Sequence, residues 1–204
     1  MDVVISVVGK EALGLQPNLI EAAAYSKVKR IIPSEFGNDT EAMPLGQTAT
    51  WDLKKSAQGQ IFKLGLDYTF IINNPFMDNL FGPFAGVNLK EQSINLYGDA
   101  VMTAIHTDDI ALLVPEIVLN PNTKNKTVRL GAETFKWNDA VVELERLTGK
   151  WHNVAICTDP QKKNFGLIYL ATHCTRQLIL VLFRQRMEEN CSHRRFPGTT
   201  NSSY

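Results

Sequence analysis

Apolar positions along the chain fall into short unbroken runs separated by stretches with helical spacing. Val3-Val-Ile-Ser-Val-Val8 is almost continuously apolar, the pattern of a strand covered on both faces. Pro17 suits the first turn of a helix, where its missing N–H costs nothing, and Leu19, Ile20, Ala23 and Ala24 carry helical spacing to about Ser26. Val28–Ile32 is a second strand, closed by Pro33, and the polar stretch 38–47 reads as a solvated loop. A helix from about Thr48 to Leu64 follows, with Gly65 as its C-terminal stop. Tyr68–Ile72 is a third buried strand, halted by Asn73-Asn74-Pro75. Strands alternating with helices in this way predict a parallel sheet with its loops gathered at the strands' carboxyl ends.

The second half is less regular. Phe76 to Val87 is rich in Phe, Gly and Pro, which suits a pocket-lining loop or short helices. Ile94–Gly98 and Met102–Ile105 read as two strands around a Gly98-Asp99 turn. Thr107 or Asp108 is a candidate cap for a helix from Asp109 to about Leu119, and Thr127–Leu130 is a further short strand. A helix over Lys136–Leu147 puts Val141, Val142, Leu144 and Leu147 on one apolar face and ends at Gly149. Phe165–Phe183 approaches membrane-spanning length, yet His173, Arg176 and Gln177 in its middle favour a helix packed on protein. From Glu188 onward the chain has little to bury and reads as a disordered tail.

The domain organisation predicted from this pattern is one α/β unit over residues 1–150, with elements of a substrate lobe from about residue 76. A divergent helical segment over 151–187 and a tail over 188–204 complete it. Apolar residues make up 44% and charged residues 21%, ordinary for a globular protein. Lys plus Arg equals Asp plus Glu at 21 each, so no strong field draws in nucleic acid or an anionic membrane, and neither is an expected partner. Cys157, Cys174 and Cys191 are odd in number and widely spaced, which points to reduced thiols and a cytoplasmic setting rather than a disulfide framework. No secretory leader pattern opens the sequence.

Candidate chemistry clusters at the predicted strand ends. Gly9 ends the first strand, where backbone can approach a ligand without a Cβ in the way, although it forms no G-x-G-x-x-G loop with Gly14. Ser34-Glu35-Phe36-Gly37 lies at the next carboxyl-end loop; it reads equally as a ligand loop or as an acidic turn with Phe36 tucked into the core. Lys54 and Lys55 open the second long helix, where a lysine at the ligand edge could serve in general acid–base work if burial lowers its pKa. Tyr25 and Lys29 have a Y-x-x-x-K spacing but straddle a helix-to-strand change, so they share no helical face. Asp108 is more economically a helix cap and His106 a pocket-wall or surface residue, while His152, His173 and His193 lack ligand-like spacing; no metal site is predicted.

Taken in order, Val3-Val-Ile-Ser-Val-Val-Gly9, Leu19-Ile-Glu-Ala-Ala23, Val28-Lys-Arg-Ile-Ile-Pro-Ser-Glu-Phe-Gly37, Gly65-Leu-Asp-Tyr-Thr-Phe70, Asn74-Pro-Phe76 and Thr107-Asp-Asp-Ile-Ala111 closely resemble the NmrA-like, isoflavone-reductase-like family of atypical short-chain dehydrogenases. The resemblance covers about residues 2–150. It implies an NADPH-binding, Rossmann-like parallel sheet with a small α+β C-terminal lobe, and reduction of a small carbonyl or conjugated, often aromatic, molecule. The family's catalytic lysine falls on Lys54, with Lys55 as the fallback. Gly9, Ser34, Phe36 and Asn74 fall on the nicotinamide and ribose side of the cofactor, and Phe76 on the substrate pocket.

The family's glycine-rich phosphate loop and the first strands of its sheet have no counterpart in the sequence, a gap of roughly 60–70 residues. The expectation is therefore an N-terminally truncated member whose first strand has an open apolar edge, leaving open self-association or a protein partner. Alongside the reductase, two other readings stay open: a non-catalytic, dinucleotide-sensing regulator of the NmrA kind, and an inactive fragment.

Overall fold

The computed structural model describes residues 2–82, 87–96, 101–149 and 153–156. One part of it is a four-stranded parallel arrangement. Strand β1 (Val3–Ile5) pairs with β2 (Arg30–Ile32) in the register Val3↔Arg30 to Ile5↔Ile32. A parallel bridge between Ile31 and Tyr68 joins β2 to β3 (Thr69–Ile72), and the Ile31 N–H donates to the Asp67 carbonyl at 2.8 Å. On its other side β3 pairs in parallel with β7 (Lys126–Arg129). The spatial order is thus β1-β2-β3-β7, with helices α1 (Gln16–Tyr25), α2 (Ala49–Lys63) and α3 (Thr107–Leu119) in the connections.

Side chains along a strand alternate between faces, and β2 and β3 each feed two cores. Ile31 and Phe70 join Ile20 and Ala23 of α1 and Ala57 and Ile61 of α2. Their neighbours Ile32 and Ile71 join Ile110 and Ile117 of α3, with Val128 and Leu130. A sheet covered on both faces by helices is the α/β architecture the pattern predicted.

Local signals fix α2 with particular care. Thr48 caps it, its hydroxyl oxygen accepting from the Trp51 N–H at 3.2 Å. At the far end Gly65 takes φ +65°, the Gly65 N–H donates to Phe62 O at 3.1 Å and the Leu66 N–H to Ile61 O at 3.2 Å. That pair of bonds is a Schellman ending, and glycine adopts its left-handed residue without a Cβ penalty. The buried stripe of α2 is Trp51, Lys54, Ala57, Gln58 and Ile61, which sets a lysine and a glutamine one turn apart among apolar neighbours.

A second core lies beyond the parallel sheet. Leu80, Val87, Ile94, Met102, Ala104, Trp137, Val141 and Leu144 form it. Around it β4 (Val87–Asn88) runs antiparallel to β5 (Ser93–Leu96), β5 runs parallel to β9 (Asn153–Ile156), and β6 (Val101–Ala104) pairs antiparallel with β8 (Glu133–Lys136). Helix α4 (Trp137–Thr148) closes this lobe, with Gly149 as its cap.

Several expectations are corrected. The first strand stops at Ile5 and is only partly covered: Val3 and Val4 pack half-buried against the two opposite cores, while Val7 is 76% exposed. Among the described residues β1 pairs with β2 alone, so nothing there covers its other edge. The two strands expected around Gly98-Asp99 both form but do not pair with each other, because β8 and β9 take those edges; the turn itself lies outside the described residues. His106, not Thr107 or Asp108, caps α3, its Nδ1 accepting from the Asp108 N–H at 3.2 Å. The 38–47 loop is not wholly solvated, since Asp39, Thr40 and Met43 are buried. On α4 the inward face is Trp137, Val141 and Leu144, whereas Val142 and Leu147 point out at 65% and 67% exposure. The expected apolar helix over 165–183, the tail from residue 188 and all three cysteines lie outside the described residues.

The α4 correction is directly testable. Val141→Ala should lower the stability of the folded chain by about 1–3 kcal/mol in urea titration, because it leaves a void in the second core. Val142→Ala should stay within about 0.5 kcal/mol. Equal losses at the two positions would restore the four-residue apolar face.

Candidate functional site

The carboxyl ends of β1, β2 and β3 open into one cavity of about 980 Å³. All six residues singled out in the sequence line it: Gly9, Ser34, Phe36, Lys54, Asn74 and Phe76. Gly9 carries φ −71°, which any residue adopts, so its contribution is space: an added Cβ would meet only the end of the Glu11 side chain, at 3.2 Å. Lys55 is half-buried and is not among the lining residues.

Backbone and side-chain bonds weld the loop after β2 to its neighbours. Ser34 donates its N–H to Gln16 Oε1 and its hydroxyl to the Val8 carbonyl, both at 2.7 Å, tying β2 to the start of α1 and to the end of β1. Gly37 O accepts from the Asn74 N–H at 2.8 Å, tying the same loop to β3. Asn74 itself sits at φ +57°, a left-handed position that asparagine tolerates, and donates from Nδ2 to Leu130 O at 3.2 Å. Phe36 does both things the sequence left open: it packs against the α3-side core and lines the cavity.

Lys54 is the chemically distinct group on this wall. Of the described lining residues only Lys10 and Lys54 are ionisable; the Lys10 side chain is largely solvated beside Glu11, whereas Lys54 is 7% exposed. Its Nζ donates to the Glu35 carbonyl at 2.5 Å. Burial holds its pKa below the ordinary lysine value of 10.5, and the negative charge of Glu35 opposes that shift in part. Much of the remaining lining is apolar, including Phe76, Leu80, Met102, Ile110, Val114 and Trp137. A flat apolar body with one polar atom near Lys54 matches this division of the wall.

Sequence reading missed the residues behind the lysine. Glu35 is 0% exposed, its Oε2 accepts from the Thr40 hydroxyl at 2.6 Å, and Thr40 Oγ1 in turn accepts from Gln58 Nε2 at 3.0 Å. The loop is pinned from outside by Arg129, whose Nε meets Asp39 Oδ2 at 2.7 Å and whose Nη2 meets Glu41 Oε2 at 2.6 Å. Only the helical spacing of Lys54 and Gln58 hinted at this network, since the partner threonine sits in a stretch that reads as plain loop. Asp78 anchors the other lip of the cavity. Its Oδ2 accepts from the Thr107 N–H at 3.0 Å and from the Thr107 hydroxyl, and its Oδ1 faces His106 Nε2 at 3.0 Å. Tyr25 and Lys29 stay apart from the site, with Tyr25 exposed and Lys29 paired to Asp2 at 2.7 Å. Among the described residues no group of three or more His, Cys, Asp or Glu is placed to hold a metal, and no helix is long and apolar enough to cross a membrane.

Comparison with known proteins places the chain in a family and its fold. Residues 1–179 match the NmrA-like family. The phenylcoumaran benzylic ether reductase IRL1 of Ginkgo biloba is 32% identical over 161 residues, covering 74% of this chain and 52% of that protein. An isoflavone reductase homolog of Nicotiana glauca is 32% identical over 160 residues, with the same coverage of 74% and 52%. The chain therefore spans about half the length of these curated relatives. Among solved structures, a leucoanthocyanidin reductase–NADPH binary complex from Vitis vinifera superposes with a TM-score of 0.72 at 19% identity, over 90% of this chain and 70% of that one.

A buried lysine has a thermodynamic signature. Because folding lowers its pKa, the unfolded chain binds more protons between the folded value and 10.5, so stability rises with pH across that window. Lys54→Met should remove that alkaline rise and stabilise the chain near neutrality by about 0.5–2 kcal/mol, read from denaturant midpoints at several pH values. A large loss of stability at neutral pH would instead make the ammonium a structural prop.

Proposed function

Since the chain belongs to the NmrA-like family, we propose that its site serves an NADPH-dependent reductase that acts on a small carbonyl or conjugated, flat and largely apolar molecule. The observation that carries this reading is Lys54: a desolvated amine on the wall of an otherwise mainly apolar cavity, at the carboxyl edge of a parallel sheet. The names of the curated relatives support a reductase, and the Vitis vinifera neighbour is an NADPH complex.

The residues at the strand ends fit the nicotinamide half of the cofactor. Gly9 leaves room in the segment after β1, and Ser34, Phe36 and Asn74 present a polar and aromatic edge to the same space. The described residues contain no glycine-rich phosphate loop, so this fit is limited to that half. When bound, the dinucleotide supplies hydride. Lys54 then orients the substrate oxygen by hydrogen bonding or moves a proton at its Nζ, and its low pKa brings amine and ammonium forms closer in energy near neutrality. The apolar wall from Phe76 to Trp137 holds the rest of the substrate and excludes water.

Two measurements test the reading. Titration of the 204-residue chain with NADPH, followed by nucleotide fluorescence, should saturate. In an active form, Lys54→Ala should cut kcat by about 10²–10⁴-fold while leaving NADPH affinity within a few fold. Saturable binding with no turnover across a broad carbonyl panel would favour the sensing regulator. Unchanged turnover in Lys54→Ala would remove the lysine from the chemistry.

A further inference from the structure

Behind Lys54 lies a carboxylate with no access to solvent. Glu35 is completely buried, yet of its two oxygens only Oε2 has a hydrogen-bond partner, Thr40; Oε1 has none among the described residues. A buried charge left half-satisfied is costly, by several kcal/mol as a rule, so its retention calls for a physical reason. The backbone supplies one. The Glu35 carbonyl is the acceptor for Lys54 Nζ, and two residues on Gly37 takes φ +150° and brings the loop so close that an added Cβ would stand 3.5 Å from that same Nζ. Gln58, one helical turn beyond Lys54 on α2, reaches Thr40 and closes the circuit: Gln58 to Thr40, Thr40 to the Glu35 carboxylate, and the Glu35 carbonyl back to Lys54. Lys54 and Glu35 do not form a direct ion pair within 4.0 Å, so the carboxylate acts on the amine through space and through its own backbone.

We propose that Glu35 is the positioning residue of the site: its carboxylate, tethered by Thr40 and through Thr40 by Gln58, locks the Ser34–Gly37 loop so that the Glu35 carbonyl fixes the Lys54 amine at the cavity wall. The inference rests on the reading of Lys54 as the group that meets substrate. Other charged groups on the surrounding elements are engaged elsewhere. Asp39 and Glu41 are bound to Arg129, Asp52 accepts from the Gly46 N–H at 2.9 Å, Lys10 lies beside Glu11, and Asp78 holds Thr107 and His106. At the start of α3, Asp108 is exposed beside His106 and Asp109 is half-buried, and on α2 itself the half-buried Lys55 is the adjacent ionic group.

The test reads Lys54 directly and needs neither nucleotide nor substrate. The full chain is labelled with trace acetic anhydride across a pH series, and the acetylation of Lys54 and of its neighbour Lys55 is resolved by tandem mass spectrometry. In Glu35→Gln, which keeps the shape and can still accept from Thr40, the Lys54 curve should move to lower pH, because the charge that opposed the burial shift is gone. Near neutrality Lys54 should then be labelled several-fold faster relative to Lys55, whose own curve should stay in place. Thr40→Val, which unties the carboxylate, should move the Lys54 curve in the same direction, and Thr40→Ser should restore it. If Glu35→Gln fails to melt cooperatively, the Thr40 pair alone decides. Lys54 curves that coincide in the wild type and in every folded variant overturn the proposal. A shifted curve in a chain that binds no NADPH would uphold it while removing the reductase reading.

Discussion

Lys54 carries its amine on the buried stripe of α2, and the cost of taking that cation out of water organises the residues around it. The helix cannot turn the side chain outward without also exposing Trp51, Ala57 and Ile61, so the amine must find an acceptor at the sheet's edge. It finds the Glu35 carbonyl. The loop that presents this carbonyl is held on every side: by Gln16 and Val8 through Ser34, by Asn74 through Gly37, and by Thr40 and Gln58 through the Glu35 side chain. What looks like loop chemistry is therefore as constrained as core packing.

The sheet makes that constraint possible. Parallel strands bring β1, β2 and β3 to the same edge, and alternation along each strand commits one set of side chains to α1 and α2 and the other to α3. The loops leaving that edge are the part of the backbone not claimed by either core. They converge with α3 and the second core to enclose a cavity whose polar features lie mainly toward the strand ends and whose far wall is Met102, Leu80 and Trp137. The Arg129 cluster then closes the outside of the Asp39–Glu41 segment against β7, which couples the last strand of the sheet to the loop that holds Glu35.

Local signals were readable wherever the chain itself carried the reason. Gly65 announced the end of α2 because a left-handed stop depends on a single residue, and Pro17 marked the start of α1 in the same local way. Lys54 could be picked out by its distance from Gly65 once the motif order resembled a known family. The misreadings share a different cause. Val142 and Leu147 look equivalent to Val141 and Leu144 by spacing, but the second core meets α4 along a narrower stripe. Strands β5 and β6 looked like a hairpin because each is adjacent to the same turn signal, while their partners β9 and β8 lie far along the chain or were too polar to be recognised as strands.

The sequence by itself determined the alternation of strands and helices and the extent of α2 with its glycine stop, because periodicity, glycine and proline act over a few residues; the residues expected at the cofactor and substrate came from the resemblance of the ordered motifs to a family. The choice of Lys54 over Lys55 likewise came from that resemblance. Tertiary structure alone decided that Glu35 would be sealed from water, that Thr40 would meet its carboxylate while Gln58, 18 residues further on, meets Thr40, and that His106 rather than its acidic neighbours would cap α3. Burial and long-range hydrogen bonding depend on which surfaces come together, and no local pattern in the chain records that.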